Sequence, residues 1–149
     1  MLEAVNDALK TISRLFCHSL HISELTDLIN NTKLLALDAN ICERDAITQL
    51  GQGWVAEETL AIAIYCSLKH ENDFAKAIIS SVNHSGDNDS TGSVTGNIIG
   101  TYLGASHIPP KYTQKLELKN IISEIAYDLC FSRGNSSAEK KLKEKYVIE

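Results

Sequence analysis

Residues that fix a fold by covalent or steric means are scarce in this chain: four cysteines, two prolines and one tryptophan among 149 residues, with aromatics at 6%. Cys17, Cys42, Cys66 and Cys130 stand singly, with no Cys-x-x-Cys and no histidine at zinc-ligand spacing. That excludes a zinc ribbon and offers no disulfide framework. All four read as core thiols, Cys66 above all, inside the apolar run Ala61-Ile62-Ala63-Ile64-Tyr65-Cys66, and a reducing, cytoplasmic setting is the expectation. Positive charge is short as well. Fourteen Lys and Arg stand against nineteen Asp and Glu, a formal charge of -5, which excludes the general nucleic-acid or anionic-membrane partner that a basic patch would serve. The one basic cluster, Lys140, Lys141, Lys143 and Lys145, is interleaved with Glu139 and Glu144 and reads as a solvated helix face. No apolar run has the length to span a bilayer, and Glu3 and Asp7 stand where a signal peptide carries basic residues. Alternating strand patterns, hairpin turns and internal repeats are missing too.

What remains is helical period nearly throughout, so the expected class is all-α. A chain of this length buries roughly 70% of its unfolded surface, and one domain over residues 1–149 is expected, ending in a polar tail helix over 135–149. Ala4, Val5, Ala8, Leu9, Ile12, Leu15 and Phe16 fall on one side of a first helix. Ser23 offers an N-cap to a second, with Leu25, Leu28, Ile29 and Thr32 to Leu35 inward and Asn40 near its stop. Arg44 to Leu50 is a short helix ended by Gly51, and Val55 to His70 is apolar on all sides and should be buried. Asn72 or Asp73 caps a fifth helix with Phe74, Ala77, Ile78 and Val82 inward, and Ser90 or Thr91 caps a sixth that ends near Gly104. Pro109-Pro110 breaks the chain before a last core helix bearing Leu118, Ile121, Ile122, Ile125, Leu129 and Cys130. Arg133-Gly134 stops it, and Ser136 to Glu139 has the form of a capping box. In the sixth helix Gly92, Gly96, Gly100 and Gly104 recur every four residues, each costing about 1 kcal/mol relative to Ala in a helix interior. Close backbone approach of a neighbour would offset that.

The densest chemistry lies in Asp87-Asn88-Asp89-Ser90-Thr91-Gly92, where two carboxylates two residues apart precede two hydroxyls. Converging carboxylate and hydroxyl oxygens suit a hard cation such as magnesium or calcium. The plainer reading is an N-capping loop. A calcium EF-hand is excluded, because Ile98 falls where the bidentate Glu is required. His84 reads as a capping or packing side chain, and Glu57 and Glu58 as complements to a helix N-terminus. Gly51-x-Gly53-x-x-Ala56 imitates a dinucleotide fingerprint, but a helix rather than a strand precedes it. Trp54 beside it paves a pocket for a flat ring or joins the core.

Gly51-Gln52-Gly53-Trp54-Val55-Ala56-Glu57-Glu58, followed by His84-Ser85-Gly86-Asp87-Asn88-Asp89-Ser90-Thr91-Gly92-Ser93-Val94-Thr95-Gly96-Asn97-Ile98-Ile99-Gly100, resembles the C-terminal part of the ADP-ribosylglycohydrolase family. That family includes the dinitrogenase reductase-activating glycohydrolases and the ADP-ribosyl-acceptor hydrolases. The resemblance runs from about Leu25 to Leu129. It implies an all-α fold with a two-magnesium centre that hydrolyses the bond between C1″ of ADP-ribose and a protein side chain or small acceptor. It further implies Asp87, Asp89 and Ser90 as metal ligands, and a Gly51 to Val55 loop, with Gly51, Gly53, Trp54 and Val55, lining the ADP-ribose pocket; no catalytic residue is assigned.

The chain departs from the family pattern in one respect. The resemblance implies proteins about twice as long, with a Thr-Asp-Asp-Thr/Ser stretch in the N-terminal half completing the metal site. Thr26-Asp27-Leu28 lacks the second carboxylate. The expectation is a truncated or split member, partnered by a separate chain carrying the other half or by its own copies. The alternative is a non-catalytic helical remnant that binds ADP-ribose or a partner chain. A calcium sensor is a third, weaker reading.

Overall fold

The apolar Ala56–Lys69 segment organises the fold. As a helix (α4) it buries seven consecutive residues, Ala61 to Ser67, so every side of it meets protein. Only an inner helix of a multi-helix layer reads this way. In this computed structural model, which describes residues 1–132, 140, 142 and 144–146, the other elements in chain order are α1 (Leu2–Leu15), α2 (Ile22–Leu37), α3 (Glu43–Leu50), α5 (Phe74–Val82), α6 (Asn88–Leu103), α7 (Pro110–Thr113) and α8 (Lys119–Ser132). A 3-10 turn, Ala105–His107, follows α6. The all-α class expected from periodicity is what the fold shows, and no strand occurs among the described residues. α4 packs on α2 and α6, with α5 and α3 completing its surround, and α1 lies on α2. Ile29, Leu35, Ile47, Leu50, Ile62 and Tyr65 form the centre of the core. Thr26, Asp27 and Leu28 all lie inside α2.

The glycine spacing of α6 finds its partner in α5. A Cβ on Gly92 would lie 2.7 Å from Val82 Cγ1, one on Gly96 would lie 3.6 Å from Ile78 Cδ1, and one on Gly100 would lie 3.8 Å from Phe74 Cε2. Phe74, Ile78 and Val82 are themselves four apart, so a ridge of large side chains seats in a glycine groove. The approach is thus of side chains, not of backbone as expected. Gly104 stands outside the ridge and caps α6.

Several local expectations are corrected. The second helix begins at Ile22, placing Ser23 in its first turn, because the preceding turn already sets the His21 carbonyl to accept from Leu25 N at 3.2 Å. α6 is capped by Asp87, not by Ser90 or Thr91. Cys66 is a core thiol, but Cys17, Cys42 and Cys130 are exposed. The apolar stripe of α1 buries no residue; Leu15 and Phe16 are exposed, and Leu34 in α2 likewise. One domain over 1–149 is the expectation, with Pro109-Pro110 as a break between helices; the chain divides there into two units, Met1–Pro109 and Pro110–Glu149. Within the second unit, α8 is no core helix: Leu118, Ile121, Ile122, Ile125 and Leu129 are exposed. A unit of such size has too little interior to cover them. Its polar contacts include those of Lys145, which bonds Glu124 and Asp128, and of the Tyr146 hydroxyl, which donates to Asp128 at 2.7 Å. The Arg133-Gly134 stop and the Ser136 to Glu139 capping box lie outside the described residues, as does most of the 135–149 tail; residues 140, 142 and 144–146 are helical.

A polar chain crosses three helices of the first unit. The Cys66 thiol donates to Ser80 Oγ at 3.6 Å, Ser80 donates to Glu43 Oε2 at 2.9 Å, and Glu43 Oε1 pairs with His70 Nε2 at 3.1 Å. Burial pushes the thiol up to about 12, which keeps it protonated. Burial alone would raise Glu43 as well, but the hydrogen bonds from Ser80 and His70 and the charges of His70 and Lys69 together hold it below its ordinary value. A carboxylate depressed in the folded state stabilises above its unfolded pKa, and that contribution is lost as pH falls through the folded value. The stability gap between the wild type and Glu43→Gln, measured by urea unfolding, is therefore expected to be constant near neutrality and to close as pH falls below about 4.5. A gap of equal size at pH 3 would show that the charge contributes nothing. For the glycine groove, Gly96→Ala is expected to gain up to about 1 kcal/mol from helix propensity, whereas Gly92→Ala, driven into Val82, should lose about 1 kcal/mol or more. Equal effects in urea unfolding would refute the ridge and groove.

Candidate metal and ligand site

Two loops meet at the N-terminal end of α6. The first leaves α3 at Gly51, whose φ of +120° disfavours any side chain, and reaches α4 at Val55. It is closed from behind by Glu58, whose Oε2 accepts from the backbone N–H of both Gln52 and Gly53 at 3.0 Å. The carboxylate fills the space beside Gly51 so fully that a Cβ there would lie 2.4 Å from Glu58 Cδ. Thr59 donates from inside α4 to the Gly53 carbonyl at 2.8 Å. The Trp54 indole N–H donates to Gln52 Oε1 at 3.0 Å, and its ring is 68% exposed. Trp54 is therefore not core, and with exposed Val55 it stands at the lip of the loop.

The second loop, Asn83 to Asp87, joins α5 to α6. Asp87 N donates to the Gln52 carbonyl at 2.8 Å, which binds the two loops back to back. Only a glycine fits beside that bond, since a Cβ on Gly86 would come within 1.8 Å of Gln52 O. His84 braces the turn: its Nδ1 accepts from Gly86 N at 3.1 Å, which leaves Nε2 as the donor to Thr91 Oγ1 at 3.0 Å. Burial holds the imidazole below its ordinary pKa, in keeping with a neutral ring that accepts at one nitrogen. His84 is thus the packing histidine expected from its position.

Asp87, Asp89 and Ser90 come together at the cap and first turn of α6. Asp87 Oδ1 accepts from Ser90 N at 3.2 Å. A hydrogen bond shared with the Asp89 carboxyl, then those from Ser90, hold the Asp87 carboxyl below the usual carboxylate range. Two carboxyls so close repel when both are ionised, and a cation between them removes the repulsion. Asn88 Oδ1 in the same turn is buried and accepts no hydrogen bond from the described residues. Such an atom costs about 1–3 kcal/mol until an ion or water meets it. The donor set therefore fits a hard cation. Thr91 belongs to the scaffold: fully buried, its hydroxyl donates to Ser81 O at 2.7 Å and also lies 2.9 Å from Asp87 O. Among the described residues no group of three or more His, Cys, Asp and Glu gathers to hold an ion, so this turn presents two carboxylates and one hydroxyl.

Of the residues singled out by pattern, Gly53 lies directly behind the carboxylate turn, a Cβ there falling 2.9 Å from Thr91 Cγ2 and 3.7 Å from Asp87 Cβ. Gly51 sits a step farther off, against Glu58. Pattern read Glu58 only as a complement to a helix N-terminus and missed its clamp on the Gln52 and Gly53 N–H groups.

A family model described as ADP-ribosylglycohydrolase matches residues 1–138. The chain is similar to ADP-ribosylhydrolase ARH3 of Homo sapiens, 28% identical over 89 residues, which cover 53% of this chain and 24% of that protein. The same protein of Mus musculus is 30% identical over 92 residues, 54% of this chain and 25% of that one. That of Bos taurus is 27% identical over 95 residues, 57% and 26% respectively. The chain thus covers about a quarter of the length of each relative. No solved structure matches it. With the family model running from the first helix through the whole of both motif loops, the chain belongs to the ADP-ribosylglycohydrolase family.

Proposed function

We propose that this chain takes part in magnesium-dependent hydrolysis of the bond between ADP-ribose and a protein side chain or small acceptor, with Asp87, Asp89 and Ser90 as its metal ligands and the Gly51 to Val55 loop as its ligand wall. One observation carries the reading: the Asp87 N–H to Gln52 carbonyl bond sets the carboxylate turn against the glycine loop in a single place. Family membership supplies the substrate class, as does the name of the relatives, ADP-ribosylhydrolase.

Each residue has work to do in such a site. Asp87 and Asp89 supply anionic oxygens, and Ser90 supplies a neutral one from the same turn. Magnesium prefers such oxygens and keeps several waters, so an ion held here would leave positions open to oxygens of the ligand. When bound, the cation fixes ligand oxygens and lowers the pKa of a coordinated water. Gly51 and Gly53 let the loop close against Glu58 and Thr91, and exposed Trp54 offers a flat face to a ring. Glu58, Thr59 and Thr91 keep the frame from shifting when charge enters it. Three oxygens from one turn are half of an octahedral shell. That count favours a second reading, in which the chain binds ADP-ribose or a partner chain without turnover. A separate chain or a further segment bearing more carboxylates converts the second reading into the first.

Calorimetric titration with ADP-ribose, with and without magnesium, tests both. Binding is expected to require magnesium and to weaken about a hundredfold or more in Asp89→Ala, helicity being unchanged. Binding that ignores magnesium, or that survives the substitution, overturns the assignment. Released ADP-ribose from a modified substrate then separates hydrolysis from binding alone.

A further inference from the structure

A second groove lies on the far side of the loop junction, and its character is opposite to that of the carboxylate turn. Arg44, Ile47, Thr48 and Gly51 follow one another at helical spacing along α3, and they face Asn83, His84 and Ser85 across a cleft of about 360 Å³. At Arg44, Ile47 and Asn83 this cleft meets another of about 340 Å³ that reaches His70, Lys76 and Ser80. Both volumes fall within the range of small-ligand clefts, about 300–1,000 Å³.

The charge of this groove runs against that of the chain. The whole sequence carries -5, yet the cations Arg44 and Lys76 line the two clefts together with the imidazoles of His70 and His84, the latter neutral, and Glu43 is the single carboxylate among their described lining residues. That carboxylate is already engaged, by Ser80 and His70. Lys76 pairs with Asp73 at 3.6 Å. Arg44 makes no ion pair with any described residue, and it stands in the first turn of α3, the end of a helix where a cation is unfavourable. Its side chain is exposed where it lines the cleft. Neutral donors lie nearby: Gln52 Oε1 is occupied by the Trp54 indole, which leaves the amide N–H groups of that side chain free. In the first cleft Arg44 is the one full charge among the described lining residues, and a guanidinium with amide donors beside it matches phosphate oxygens, which it meets in bidentate fashion.

We propose that this groove is a phosphate-binding subsite with Arg44 as its anchoring cation. The site takes a phosphate ester or diphosphate. It operates without the cation of the carboxylate turn, so its failure and the failure of the magnesium reading are separable.

The probe is inorganic pyrophosphate, titrated into the full chain at low ionic strength with a chelator present to remove divalent cations. Arg44→Gln is expected to weaken binding about tenfold to a hundredfold, with Arg44→Lys in between because it keeps the charge and loses the fork. Lys10→Gln, which removes an exposed cation paired with Asp7 elsewhere on the surface, should change nothing. A parallel titration with ADP-ribose, run without chelator and with free magnesium held constant as pyrophosphate is added, identifies the source of the phosphate. If Arg44→Gln weakens both ligands and pyrophosphate displaces ADP-ribose, the diphosphate belongs to the substrate. If it weakens pyrophosphate alone, the groove serves a separate phosphate compound. No pyrophosphate binding by the wild type, or equal losses in Arg44→Gln and Lys10→Gln, overturns the proposal.

Discussion

One backbone hydrogen bond holds the site together. Asp87 N gives its proton to Gln52 O, and neither loop that meets there belongs to a regular element that would otherwise fix it. A loop alone is a poor base for ligands, because placement errors near 1 Å loosen a site. Here each loop is tied on its other side as well. Glu58 clamps the first loop through two N–H groups, and Thr91 anchors the second to the end of α5. Gly86 makes the junction possible, since any side chain would collide with the carbonyl that accepts the bond.

Rigidity at the junction rests in turn on the packing beneath it. The carboxylate turn is the start of α6, and α6 is locked to α5 by large side chains seated on glycines. Glu58 and Thr59 begin α4, whose next turns are buried on every side. A clamp attached to the stiffest helix of the unit transmits that stiffness to the loop. The glycines of α6 therefore have a role beyond their own helix: the propensity they forfeit is offset by a seat that fixes where Asp87, Asp89 and Ser90 sit.

Helical period made most of the architecture legible in the sequence, including the buried α4, the Gly51 stop and the Asp73 cap. Two kinds of feature were not. Burial depends on what covers a stripe, and amphipathic spacing is silent on that; α8 has the pattern and stays exposed, and α1 is half-buried at Val5 and Leu9 but exposed at Leu15 and Phe16. Caps chosen among adjacent candidates depend on which side chain wins a local donor. Asp87 bonds Ser90 N and starts α6 early, while Thr91 turns its hydroxyl to Ser81. The residues of the carboxylate turn were readable because their chemistry is local. Glu58 was not assigned its clamp, since the N–H groups it holds lie outside its own helix, in a turn whose shape only the fold reveals.

The separation of charge around the junction bears on what the site can recognise. On one side lie Asp87 and Asp89, acids that attract a cation; on the other Arg44 stands with His84 close by. His84 touches both, lining the basic cleft while its Nε2 bonds the threonine beneath the acidic turn. A ligand that offers neutral hydroxyls at one end and anionic oxygens at the other suits such a divide, because each part meets groups of the opposite need. In the absence of metal the carboxylate turn repels anionic groups and leaves the groove to them, while the groove repels a purely cationic ligand. Selectivity of this kind arises from rejecting the wrong end as much as from holding the right one, and it follows from two loops that one hydrogen bond keeps in register.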